Sequence, residues 1–144
     1  VWQKNDYHDF LKENLLIGKF MLKKILKWIP ALLIAGTSWY LSSKSQIEYM
    51  PQFFNADKLV HLVCFAGFSF WVSFALNIKT YKSFWIPTII VSTYGIIDEI
   101  HQHFTPGRYV SFFDWTCDTI GAILGSLIFV LVYKIVQKVF VKKN

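Results

Sequence analysis

At 144 residues the chain is sized for one domain, and its composition excludes an ordinary soluble one. Hydrophobic residues make up 54% and charged residues 17%, against roughly 25% charged in soluble domains. The net charge of +6 does not point to nucleic acid, because the basic residues sit at the edges of long apolar runs, where membrane topology accounts for them.

Residues 1–23 form a mixed, basic N-terminal segment. Leu11, Leu15, Leu16 and Phe20 recur at helical spacing among lysines and acids, which predicts an amphipathic helix lying at a membrane interface. Met21 opens a run that itself resembles a natural start, so residues 1–20 are expected to be dispensable. The remainder, 24–144, is expected to form one domain of four transmembrane helices.

The first span is expected from about Ile25 to Leu41, with Trp28 and Trp39–Tyr40 as aromatic anchors. No small-residue cleavage site follows it, so it is a retained span rather than a signal peptide. Ser42 and Ser43 leave the membrane. A loop through Glu48, Tyr49 and Pro51 is expected to lie against the interface. Asn55 or Asp57 is placed to cap a second helix running from about Lys58 to Ile78, on which Asp57 and His61 share a face at i, i+4.

A third span begins near Phe84 and tolerates Pro87 in its first turn. Its far end carries Asp98, Glu99, His101, Gln102 and His103. Thr105-Pro106-Gly107-Arg108 is a predicted turn. A fourth span starts at Phe112 or Phe113 and runs to about Tyr133. It contains Gly121 and Gly125, a GxxxG step that serves either packing within the chain or a helix–helix dimer. Cys64 and Cys117 make no CxxC motif and are expected to be free, buried thiols, with a bridge between them as the alternative.

Four spans put twelve of the fifteen Lys and Arg residues on the side of both termini, so both termini are expected to be cytoplasmic. The opposite, extracytoplasmic side receives Glu48, Asp57, Asp98, Glu99, Asp114 and Asp118, six of the nine acids, with His61, His101 and His103. Ionisable groups near membrane depth are costly, so these must pair, line a wet cavity or hold a ligand.

Two patterns then invite a family name: Asp57-Lys58-x-x-His61, and later Asp98-Glu99-x-x-Gln102-x-Phe104-x-Pro106-x-Arg108 followed by Ser111, Asp114, Asp118 and Gly121. In this order, with four short spans and the Ser42-Ser43 exit, residues 24–133 resemble the VanZ-like family of small bacterial membrane proteins. That resemblance implies a multi-pass protein of the bacterial plasma membrane and cell envelope, and a link to glycopeptide resistance of the teicoplanin type. It also implies functional positions at Asp57, His61, Asp98, Glu99, Gln102, Arg108 and Asp114. Asp118 stands where the family often has asparagine. Residues 1–20 lie outside the pattern.

The residues leave three chemistries open. Arg108 paired with Asp98 or Asp114 is a salt-bridged clasp across the outer helix ends. Alternatively, Arg108, Gln102, Asp98, Asp114 and Asp118 bind an anionic phospholipid or lipid-linked cell-wall-precursor headgroup. His61 is then the general acid or base, oriented by Asp57 or by a third-span acid such as Glu99. Whether such a site is enzymatic stays open, since no phosphatase or transferase signature is present. Third, the carboxylates and imidazoles suit a divalent cation, although no cofactor is otherwise expected. His101 and His103, two residues apart, point to different sides of a helix, so at most one is a ligand.

Overall fold

A computed structural model describes residues 4–45 and 53–141. Among them the chain is all-helical, with α1 at Lys4–Leu26, α2 at Ile29–Ser42, α3 at Ala56–Ala75, α4 at Trp85–His103 and α5 at Phe112–Val141. The loop carrying Glu48, Tyr49 and Pro51 lies outside the described residues, as do Lys142 and Lys143.

The span expected from about Ile25 to Leu41 begins later, at Ile29. Pro30 sits in the first turn of α2; it has no N–H to give to the Leu26 carbonyl and its ring collides with that group, so α1 stops at Leu26. A turn at Lys27–Trp28 separates the two helices. The N-terminal helix is real but extends past the expected segment, and every residue from His8 to Leu26 is exposed.

α2 through α5 pack around a core of Ala31, Phe65, Phe68, Val72, Val91 and Ala122. Successive helices reverse direction. Lys27 Nζ donates to Asn77 Oδ1 at 2.6 Å, tying the start of α2 to the end of α3, and Lys134 lies 4.0 Å over the Tyr81 ring, tying the far part of α5 to the α3–α4 link. At the other end, the close of α2 meets the close of α4 through Ser42 and Asp98.

The closest pairing is α3 on α5. A Cβ on Gly121 would strike the Leu62 carbonyl and one on Gly125 would strike that of Ala66. Of the two uses open to this GxxxG step, both glycines serve packing inside the chain, against α3. Polar cross-links reinforce the bundle: Thr88 with Ser126 at 3.1 Å, Ser92 with Thr119 at 2.7 Å, and the Tyr94 hydroxyl donating to the Ala35 carbonyl at 2.6 Å. Both cysteines are free, with Cys64 exposed and Cys117 half-buried rather than buried.

Helix ends explain the link lengths. α3 ends in a Schellman motif: Ile78 N–H bonds to Ser73 O and Asn77 N–H to Phe74 O, with Asn77 at φ 53° taking the left-handed position. Asn55 holds the N-cap position of α3 but makes no capping side-chain bond, and Asp57 turns to Lys58 instead. Of the four expected spans, two helices, α3 and α5, are long and apolar enough to cross a membrane. Pro30 leaves α2 only 14 residues long, and the polar close of the 19-residue α4 lowers its hydropathy.

Candidate functional site

The polar residues gather at the end of the bundle formed by the close of α2, the start of α3, the close of α4 and the start of α5. The chain is steered there by two devices. Thr105–Arg108 makes the expected turn, with Arg108 N–H donating to Thr105 O and Gly107 at φ 82°, as type II geometry requires. Ser111 then caps α5: its Oγ accepts from the Asp114 N–H at 3.1 Å. In a capping box the third helical residue's carboxylate would return the bond to the cap's N–H. Here Glu99 of α4 takes that role, its Oε2 accepting from the Ser111 N–H at 2.7 Å. Asp114 is thereby released to face Lys58 at 3.5 Å, and Lys58 also pairs with Asp57 at 3.0 Å.

Asp98 and Glu99, neighbours in sequence, point about 100° apart around α4 and serve different partners. Asp98, 1% exposed, accepts at Oδ2 from Ser42 Oγ at 2.8 Å and Ser38 Oγ at 3.1 Å. Gln102 Nε2 donates to Ser42 Oγ at 3.4 Å, and Thr105 Oγ1 donates to the Ser42 carbonyl at 3.0 Å. On the other side, His61 Nδ1 lies 2.9 Å from Asp118 Oδ1. Gly95 makes room for Asp118, because a Cβ there would lie 3.0 Å from its Oδ2.

Several expected pairings are replaced. His61 is positioned by Asp118 of α5, not by Asp57, which stays at the rim with Lys58. Arg108 makes no ion pair with Asp98 or Asp114, and its Nε is buried without a partner. The α3–α5 ion pair is Lys58 with Asp114. His101 stacks on Trp39 with centroids 3.8 Å apart and planes 9° apart, and His103 lies exposed against Phe104. Neither joins the cluster. Ser38 and Thr105 were missed as site residues; the readable signal was Ser38 and Ser42 at i, i+4, two hydroxyls on one face of an apolar helix.

A cavity of about 400 Å³ opens between α2, α3 and α4. Its polar end is made by Ser38, Ser42, His61, Asp98, Gln102 and Arg108, while Leu33, Val63 and other apolar side chains form the walls. The cavity thus joins one cation and a ring of hydrogen-bonding groups to a greasy slot, the shape of an amphiphile.

An all-helical bundle with two membrane-length helices and a buried acid–imidazole–guanidinium cluster at one end defines the class. Within that class, the family model for VanZ/LLP1 matches residues 4–133, and the chain belongs to the VanZ/LLP1 family. The match takes in α1, which the motif-based resemblance had placed outside. Comparison with curated proteins and with solved structures gives no match.

Proposed function

We propose that this is a multi-pass protein of the bacterial plasma membrane whose cavity binds the anionic headgroup of a phospholipid or lipid-linked cell-wall precursor. In this reading α2 to α5 all cross the bilayer, both termini are cytoplasmic and the polar end faces the envelope. At about 1.5 Å per residue, α3 is about 30 Å long and α2 only about 21 Å, against about 30 Å of hydrocarbon. A short α2 leaves the Ser42–Asp98 network recessed below the outer surface, at headgroup depth.

The carrying observation is Arg108. A guanidinium with its Nε buried and no ion pair among the described residues faces a cavity whose walls suit an acyl or prenyl chain. A planar donor fork matches the paired oxygens of a phosphate, as it does those of a carboxylate. Leu33 and Val63, which line the slot, are 66% and 60% exposed, so a lipid tail enters from the side. By this reading the protein contributes to glycopeptide tolerance of the teicoplanin type by engaging envelope lipid.

Native mass spectrometry of the detergent-purified chain with phosphatidylglycerol or a polyprenyl phosphate tests it. Arg108→Gln removes a charge-assisted contact and should weaken retention roughly ten- to a hundredfold, with diacylglycerol retained poorly by both proteins. Equal retention of phosphatidylglycerol and diacylglycerol by the wild type, or no effect of Arg108→Gln on a folded protein, would refute the proposal.

A further inference from the structure

The geometry points to a divalent transition-metal site formed by His61 of α3, Glu99 of α4 and Asp118 of α5. One donor atom from each of these residues lies within 4.8 Å of the other two. Donors about 2.1 Å from a common ion stand between about 3.4 and 4.2 Å apart, so side-chain movements of up to about 1 Å close the set. Three helices supply one ligand each, all from the packed bundle rather than from a loop.

Two further observations separate this cluster from ordinary surface acids. Glu99 and Asp118 are 3% and 0% exposed, and each keeps one carboxylate oxygen, Glu99 Oε1 and Asp118 Oδ2, buried with no hydrogen-bond partner. Native proteins leave very few such atoms unsatisfied. No lysine or arginine pairs with either acid among the described residues; Lys58 is taken by Asp57 and Asp114. Two carboxylates and a neutral imidazole balance a dication, which removes the charge and occupies the idle oxygens together.

Neighbouring packing holds the ligands in place. Gly95, one turn before Glu99, lets Asp118 lie against the α4 backbone, where a Cβ would stand 3.0 Å from Asp118 Oδ2 and 3.2 Å from Phe65. Phe65 in turn lies near-parallel to the His61 ring at 6.2 Å. The Ser111 N–H fixes the second oxygen of Glu99, an outer contact of the kind that orients metal-ligating carboxylates. An imidazole in the donor set selects Zn²⁺ or a similar first-row ion over Mg²⁺ and Ca²⁺, which favour oxygen donors alone. Three protein ligands leave at least one position open.

The test uses the full chain in detergent, stripped with a chelator, offered ZnCl₂ in a large excess of Mg²⁺, desalted, and assayed for zinc by mass spectrometry. The wild type should retain about one zinc per chain and unfold at a higher temperature with it. Glu99→Gln and Asp118→Asn should each lower affinity about a hundredfold or more, while His103→Ala, an exposed histidine elsewhere, should leave loading intact. Co²⁺ in place of zinc should give the intense visible bands of a four- or five-coordinate ion in the wild type. A wild type that retains no zinc overturns the proposal without reference to any variant, and so does zinc held equally by folded Glu99→Gln and Asp118→Asn proteins. The proposal stands apart from lipid binding: a wild type that loads zinc but no anionic lipid refutes only the headgroup reading.

Discussion

Gly125→Ala is the sharpest probe of the bundle. The added Cβ would stand 2.7 Å from the Ala66 carbonyl carbon and 2.9 Å from its Cα, and closer still to the carbonyl oxygen. These are backbone atoms of a helix, so no rotamer change can make room. α3 and α5 must move apart, and a gap of about 0.5–1 Å already forfeits a quarter to a half of the dispersion attraction across the atoms it separates. Because α3–α5 is the most extensive helix pairing, the cost should reach or pass the top of the roughly 1–3 kcal/mol typical of overpacking. Thermal unfolding in detergent measures it. Ala66→Gly added to Gly125→Ala should rescue nothing, since the clash is with the Ala66 peptide and not its methyl. Gly36→Ala, with open space around it, should instead stabilise α2 by up to about 1 kcal/mol. A wild-type melting temperature for Gly125→Ala, or rescue by Ala66→Gly, would refute the assigned α3–α5 contact.

Ser42→Ala removes the shorter donor to Asp98 and the acceptor of Gln102. It should destabilise the fold by about 1–3 kcal/mol, measured by the same unfolding assay; Ser38→Ala, at the longer distance, should cost less. Both cysteines should react with a maleimide without prior reduction, since neither is bridged. Phosphatidylglycerol should slow labelling of Cys64, which lines the cavity, and leave Cys117 unchanged; resistance of both thiols until reductant is added would contradict the structure.

The helices and the polar end were legible because they rest on local chemistry: apolar runs, the Thr105–Arg108 turn, and Ser111 ahead of Phe112. The break at Pro30 is legible in principle, but Ile25–Ile34, interrupted only by Lys27 and Pro30, has the composition of a continuous span. Partners were harder. Spacing on one helix places Asp57 and His61 on a shared face, yet it cannot weigh that pair against a carboxylate 57 positions away on α5. Charge complementarity likewise suggested Arg108 for Asp98 or Asp114. Lys58 reaches Asp114 first because it begins α3 beside the capped start of α5, and Asp98 is met by serine hydroxyls. Small polar residues in apolar helices carry only a weak sequence signal, such as the i, i+4 spacing of Ser38 and Ser42, and its meaning emerges once a buried charge is found opposite them.

The distribution of unsatisfied atoms weighs against a simple clasp. A clasp stabilises only if its charges meet each other with their remaining lone pairs and protons satisfied. Asp98 Oδ1, Glu99 Oε1, Asp118 Oδ2 and Arg108 Nε are all buried without a hydrogen-bond partner, and apart from Ser69 Oγ every such atom among the described residues lies at this one end. The two helix faces that hold them are also different in kind. The Asp98 face is fenced by hydroxyls, an amide and a guanidinium around a cavity, while the Glu99 face closes on Asp118 and an imidazole. His61 is the one polar side chain common to both, lining the cavity while bonded to Asp118. Leaving such groups idle costs several kcal/mol per buried charge, a cost that a bound ligand would offset. A clasp alone leaves Asp98 Oδ1, Glu99 Oε1, Asp118 Oδ2 and Arg108 Nε idle, which favours the proposed ligand-binding readings of this end over a purely structural one.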